Sequence, residues 1–351
     1  MGEKKVVTAE EPLREREGLL PDADIEEAEK PRKPVAVKIA ALCAAGLILL
    51  IFAFLSLNQL FGINDALPTW DELYYAFGLR SRVYGESVSG TVSVHFIDVG
   101  QGDCALIRTE NRNILIDSGE YDEYAKVAGY LKSAGVSRLD SVIMTHPHSD
   151  HMGCMYRLIR RFGASEVLMP DVPEYMIPVT GSYTKLEETA DEMKIPLVFA
   201  KDGLEIDTGG SGRLTVLAPV RKYDDLNNSS LVLKYTFGDV SFLFCGDIAE
   251  EAEADLLTLG TDISADVIKV PHHGSDTSDL RSFVETVSPD HAVFCVGSEN
   301  DYGHPHDSTV KLYRHTGAEL YRTDINGDIV FVTDGKDIDI FTGKERGKDA
   351  A

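Results

Sequence analysis

Basic charge is scarce in this sequence. Its 34 Lys and Arg stand against 58 Asp and Glu, a formal net charge of −24 over 351 residues. Non-specific affinity for nucleic acid is drawn from clustered Lys and Arg, so general clamping of a polyphosphate is excluded and any such contact must be local or transient. Paired cysteines are missing as well. The five, at positions 43, 104, 154, 245 and 295, form no CxxC and no regular spacing, which argues against a disulfide framework. Most lie in apolar runs such as Phe242-Leu243-Phe244-Cys245 and read as small buried apolar residues. Cys154, three residues past a histidine cluster, is the one that could in principle touch a metal. No internal repeat is present.

Apolar residues are plentiful at 43%, enough for a substantial core. They are unevenly distributed. Residues 1–34 mix acidic and basic side chains without apolar periodicity and are expected to form a disordered tail. Ile39 to Leu57 then runs without a charge, long enough to cross a bilayer as a helix, and residues 35–60 are assigned to that span. Lys30, Arg32, Lys33 and Lys38 precede it, whereas Asp65, Asp71 and Glu72 follow it. That asymmetry predicts a single-pass cell-membrane protein with a cytoplasmic N-terminus and its folded part outside the cytoplasm. A cleaved signal peptide is the competing reading, but no small-x-small site closes the run. Residues 61–90 read as a stalk or linker with a short helix near Trp70-Tyr75, 91–345 as one folded domain, and 346–351 as a tail.

Within the domain, strand-like runs fall at 92–99, 104–108, 113–117, 139–145, 165–169, 214–218, 230–237, 240–246, 265–270, 291–297 and 328–333. Helix-like segments fall at 122–134, 152–162, 182–193, 249–258, 279–287 and 307–316. Early strands in succession and later strands alternating with helices predict a layered α/β architecture with helices covering the sheet faces.

An apolar strand runs straight into Thr145-His146-Pro147-His148-Ser149-Asp150-His151. His146 and His148, two apart in extended chain, project the same way and can meet one cation. Asp150 and His151, where the chain turns into a helix, can face a second. A lone strand-end histidine is usually an ordinary polar residue; four potential ligands in six positions are not. Imidazole and carboxylate suit zinc, manganese or iron alike. Asp247 ends another apolar strand after Gly246, and a carboxylate buried there needs a partner, either cations or the N-terminus of the helix from Ala249. His272 and His273 follow a further strand, and His304 lies in a Gly- and Pro-rich loop as a substrate-binding, proton-donating or plain surface residue. Asp117 reads either as a carboxylate orienting a ligating histidine or as a turn residue.

His-Pro-His-Ser-Asp-His resembles the His-x-His-x-Asp-His signature of the metallo-β-lactamase superfamily. The stretches His95 to Cys104, Ile114 to Gly119, Phe244 to Asp247, Lys269 to Ser275 and Tyr302 to Pro305 occur in the order seen in ComEC-type competence hydrolase domains. The resemblance covers residues 92–343. It implies a four-layered αβ/βα sandwich, here preceded by one transmembrane helix, with the metals at one edge between the sheets. It also implies two divalent ions, zinc or manganese: Asp247 bridging both, the first held by His146 and His148, and the second by Asp150, His151 and His273. Where many members have a third histidine, Leu226-Asn227-Asn228-Ser229-Ser230 stands instead, which leaves the first site short of a nitrogen ligand.

The implied chemistry is a metal-dependent phosphodiesterase or nuclease, with catalytic roles for Asp150, His272 and His304 and supporting or substrate-facing roles for Asp103, Asp117, Asn228, Ser275 and Tyr302. The expected partners are a phosphodiester, with DNA first, and the membrane; no obligate protein partner is evident. A cell-wall phosphorylcholine or teichoic-acid phosphoester hydrolase is the second reading, β-lactam hydrolysis a distant third, and a tethered binding module without turnover the alternative of a different class.

Overall fold

The computed structural model describes residues 35–79, 89–179 and 181–344 of the chain. The expected tails at 1–34 and 346–351 lie outside the described residues. Two compact units divide the chain, residues 1–51 and 52–351. The described part of the first is helical and solvent-exposed throughout, belonging to α1 (Val35–Phe61). This helix is long and apolar enough to cross a membrane.

Two sheets form the second unit. In chain order the strands are β1 (Val92–Phe96), β2 (Ala105–Arg108), β3 (Asn113–Ile116), β4 (Ser141–Ile143), β5 (Glu166–Pro170), β6 (Leu197–Ala200), β7 (Glu205–Ile206), β8 (Arg213–Ala218), β9 (Val232–Phe237), β10 (Val240–Phe244), β11 (Val267–Lys269), β12 (His291–Phe294), β13 (Glu319–Arg322), β14 (Ile329–Thr333) and β15 (Ile338–Thr342). The first sheet runs β15-β14-β1-β2-β3-β4-β5-β6 and the second β13-β12-β11-β10-β9-β8-β7. Each is antiparallel in one half and parallel in the other, β3 to β6 and β10 to β13 being the parallel stretches.

Strand alternation separates the layers. Ile107, Ile143, Phe242 and Phe244 point between the sheets, with Phe96 and Phe331, into one buried core. Their neighbours Leu106, Val142 and Leu243 point outward. There the first sheet meets α3 (Tyr124–Ser133), α5 (Met155–Phe162) and α6 (Gly181–Met193), and the second meets α7 (Glu250–Leu259), α8 (Arg281–Val287) and α9 (Asp307–Thr316). Helix, sheet, sheet and helix are the four layers expected from the sequence.

The expected strands at 113–117 and 240–246 overran their observed ends, Asp117 and Gly246 leaving the extended conformation with φ of 57° and 53°, and His272 and His273, beyond β11, do so at 46° and 55°. Left-handed backbone is unfavourable for the three non-glycine residues, and such strain persists where the surroundings impose it. The expected helix at 152–162 is two pieces, Ser149–Met152 and Met155–Phe162, parted at Gly153 and Cys154. Four strands were not foreseen: β6, β7, β13 and β15, the outermost members of their sheets.

Residues 61–79, expected as linker, are stitched onto the domain. Arg157, buried in α5, pairs with Asp65 at 3.0 Å and lies 3.8 Å from the centroid of the Tyr124 ring. Arg161 pairs with Glu72 at 2.8 Å. The segment at 80–88 lies outside the described residues.

A buried acid supports the second sheet's helices. Both oxygens of Glu253 accept backbone N–H bonds at 2.7 Å, from Asp279 and Leu280 at the start of α8. Burial raises the pKa of Glu253 from 4.5 to about 7. An acid raised in the folded state stabilises fully below its unfolded pKa and loses that contribution as pH rises through the folded one. The parent chain is therefore expected to lose up to about 3 kcal/mol relative to Glu253→Gln between pH 4.5 and pH 7. Denaturant melts across that window check the slope, since the lost acceptor shifts the variant by a constant; parallel curves would contradict it.

Candidate metal centre

The parallel halves of both sheets end at the same rim. β3 delivers Asp117, β4 the segment 145–151, β10 Asp247, and β11 the pair His272 and His273. Gly102 lets the first loop approach: at φ 138° its backbone passes so close to Asp150 that an added Cβ would strike that residue's carbonyl oxygen. The neighbouring Asp103 N–H then donates to the same carbonyl at 3.1 Å.

The histidines are oriented from behind. His151 donates through Nδ1 to Asp117 Oδ2 at 2.8 Å, and Asp117 is itself held by the backbone N–H and hydroxyl of Thr145 at 2.8 and 2.7 Å. His273 Nδ1 donates to the Cys295 carbonyl at 2.8 Å. In both, the tautomer this fixes leaves an Nε2 lone pair directed forward. Those Nε2 atoms lie 3.2 and 3.3 Å from Asp247 Oδ2, buried and without a properly directed hydrogen bond. Asp150 Oδ2 is 3.3 Å from His273 Nε2 and 3.8 Å from His151 Nε2. Four donor residues, Asp150, His151, Asp247 and His273, thus converge within 4.8 Å of one another.

Beside them His146 Nε2 meets His148 Nδ1 at 2.9 Å and lies 3.9 Å from Asp247 Oδ2. Asp247 therefore aims one oxygen at both groups of imidazoles. The donor set fits a pair of divalent ions: buried nitrogen lone pairs without proton partners, and carboxylates whose charge has no other home on that side.

Electrostatics agree. Burial holds the His146 pKa well below the usual imidazole value, reinforced by His151, and keeps the ring neutral as a ligand must be. Burial acts the same way on His151 and His273, but the carboxylates, Asp247 foremost, outweigh it and raise both well above that value. A proton on either Nε2 occupies the place of a cation. Burial also lowers His304, to about 4, with help from His273 and His272.

One charged residue at the centre was given no role in the sequence reading. Lys269, buried on β11, donates to the Gly246 carbonyl at 2.9 Å and pairs with Asp103 Oδ2 at 2.5 Å and Asp247 Oδ1 at 3.5 Å. It fills the rear of the centre. Asp103, Asp117 and His151 also cluster there, but Asp117 is bonded to Thr145 and His151, and the Lys269 ammonium already supplies the positive charge to Asp103. Its sequence signals were a cation interrupting the apolar run Val267-Ile268-Lys269-Val270 and its place at the head of the motif Lys269 to Ser275, where it was given no role.

The other expected residues divide. Tyr302, His304 and His272 line an open cavity of about 270 Å³ with His148, Asp150 and Asp247. Tyr302 stacks on His304 at 5.5 Å between ring centroids, and His304 sits 5.7 Å from His272. Asn228 is not among them: its side-chain oxygen accepts from the Ala249 and Ala252 N–H groups at 3.0 and 3.1 Å, capping α7. The cap considered for Asp247 thus comes from Asn228, and it is Asn227 that reaches the cavity, 3.3 Å from His272. Ser275 stands one step back, bonding Thr277 at 3.0 Å, which holds His272 Nδ1 at 3.1 Å. Cys154 donates to the Ser118 carbonyl at 3.0 Å and faces no ligand group. Gln101, part of the motif at 95–104 but given no role there, lines the cavity too.

Comparison with known proteins gives the family. Residues 97–298 match the Metallo-beta-lactamase superfamily, and the chain belongs to it. It is 28% identical over 263 residues to ComE operon protein 3 of Bacillus subtilis, spanning 70% of this chain and 33% of that one. To Competence protein ComA of Neisseria gonorrhoeae it is 29% identical over 302 residues, 85% of this chain and 39% of the other. These relatives agree with the ComEC-type motifs, and the chain spans 33% and 39% of their length. Among solved structures, the metallo-beta-lactamase fold protein YhfI from Bacillus subtilis matches with a TM-score of 0.47 at 10% identity, over 69% of this chain and all of that one.

Proposed function

We propose that the chain is a membrane-anchored, dinuclear metal-dependent phosphodiesterase with DNA as its first candidate substrate. The observation that carries this reading is the convergence of His146, His151 and His273 on one oxygen of Asp247, with His148 beside His146 and Asp150 beside His273. Zinc or manganese bound there supplies an activated water and an electrophilic clamp on the phosphate. The protein's own residues do the rest. Asp117 and the Cys295 carbonyl fix the imidazole tautomers of His151 and His273. Tyr302 and Gln101 bound the space for the ester arms, and a cavity of about 270 Å³ suits a phosphodiester with little else. His272 and His304 face it from two sides, and since burial lowers the pKa of both, the neutral ring N–H of one or the other would hydrogen-bond the leaving oxygen. The competence-protein relatives favour DNA. On an acidic chain its contact is confined to this rim.

We further propose that α1 spans the membrane, with residues 1–34 cytoplasmic and the domain at 91–345 outside, on the strength of the flanking charges.

The full chain in detergent is expected to hydrolyse bis-p-nitrophenyl phosphate only with added Mn²⁺ or Zn²⁺, and His148→Ala or Asp150→Ala to lower kcat/KM by at least about a hundredfold. Absence of turnover in the parent with either metal would retire the enzyme reading in favour of a binding module. Cleavage of choline phosphodiesters but not of DNA would move the substrate to the cell wall.

A further inference from the structure

The helix α2 (Trp70–Ala76) has two unlike faces. Its inner face is fastened to the domain: Thr69 and Glu72 form a capping box at its start, the Thr69 hydroxyl donates to the Ala125 carbonyl at 3.3 Å, and Glu72 pairs with Arg161. Its outer face, with the residues just beyond, carries apolar bulk into solvent. Tyr74 is 44% exposed and Phe77 and Leu79 each 74%, and with Phe52, 53% exposed, they border an open groove of about 500 Å³ that no charged side chain lines. Packed domains seldom leave such a patch uncovered.

Trp70 says what covers it. Its ring lies 4.8 Å from that of Phe52, its indole N–H donates to Ser56 Oγ at 3.2 Å, and its backbone N–H donates to Gln59 at 3.0 Å. Those three partners belong to the last turns of α1, the helix apolar enough to span a membrane. Phe52 lies roughly 7–8 Å of helix rise short of Leu57, where the charge-free run ends. The ring thus sits at acyl-chain depth while the N–H points back toward the boundary, the arrangement an interfacial tryptophan adopts.

We propose that the outer face of α2, with Trp70, Tyr74, Phe77 and Leu79, is immersed in the interfacial layer of the lipid bilayer. It is a second membrane contact beside the span, and through α2 it holds the domain against the surface. The inference rests on α1 crossing the membrane. It adds the prediction that α2 itself meets lipid.

Trp70 is the only tryptophan in the chain, so its emission reports this face alone. The full chain is reconstituted in phosphatidylcholine vesicles, and flotation after an alkaline wash reports the span. Phosphatidylcholine brominated on the upper part of its acyl chains is expected to quench Trp70 by about twofold or more, and lipid brominated near the chain ends by less. The double variant Phe77→Asp, Leu79→Asp should still float but lose most of that quenching. A chain that floats while brominated lipid leaves its emission unchanged overturns the proposal and leaves the span intact. If that emission is also shielded from an aqueous quencher, the face is covered by protein instead, and the proposal is again overturned. A chain that does not float overturns the span, and this surface with it.

Discussion

Asp247→Asn is expected to strip the centre of its metal and to lower phosphodiester turnover by about a thousandfold or more. One oxygen of Asp247 lies between 3.2 and 3.9 Å from His151 Nε2, His273 Nε2 and His146 Nε2, so the two donor groups share it. An amide in its place would remove the negative charge that the two proposed cations share, and in one of its two orientations would turn N–H groups toward them. The loss should fall on kcat and on metal content together. Dialysis followed by elemental analysis should find less than about one ion per chain in the variant, against two in the parent. A variant that keeps both ions would show that Asp247 is not their bridge.

The second large effect concerns Lys269. Without metal, its ammonium is the nearest cation to Asp103 and shares Asp247 with the raised imidazoles of His151 and His273, all of them buried. Lys269→Met leaves Asp103 without its ammonium partner and Asp247 with the imidazoles alone, and breaking a buried pair from one side costs about 3–5 kcal/mol. For a domain of this size that lowers the Tm of the metal-free chain by about 10 °C. Saturating Mn²⁺ should recover part of the loss, because cations re-engage Asp247 but cannot reach Asp103 behind it. Calorimetry on both forms of both chains reads the difference. Equal losses with and without metal would show that Lys269 has no share in the centre's charge balance.

How far the centre was legible in the sequence follows from where its charges sit. The ligands at 146–151 lie within six residues, so strand and turn geometry suffice to bring them together. Asp247 was legible because it follows an apolar strand, where a polar group has no reason to be unless something holds it, whereas His273, in the turn beyond β11, was placed there only by the resemblance. Lys269 has its partners on other strands, and nothing local announces them. Asn227 and Asn228 are neighbours in a loop, where no period tells which faces the cavity; the orphan N–H groups at the start of α7 claim Asn228. In the fold, the missed strands are the four sheet edges, with alternation as weak as the half-exposed pattern of Ile338–Thr342. The docking of residues 61–79 rests on Asp65–Arg157 and Glu72–Arg161, pairs some 90 positions apart that only the folded chain joins.

Anomalous diffraction from crystals grown with Mn²⁺ addresses the caged pair of cations most directly. Two peaks are expected at the rim: one within coordination distance of His146 Nε2, His148 Nδ1 and Asp247, the other of Asp150, His151 Nε2, Asp247 and His273 Nε2. An empty rim, or manganese lodged instead on the Nδ1 side of His151 between Asp103 and Asp117, would contradict it.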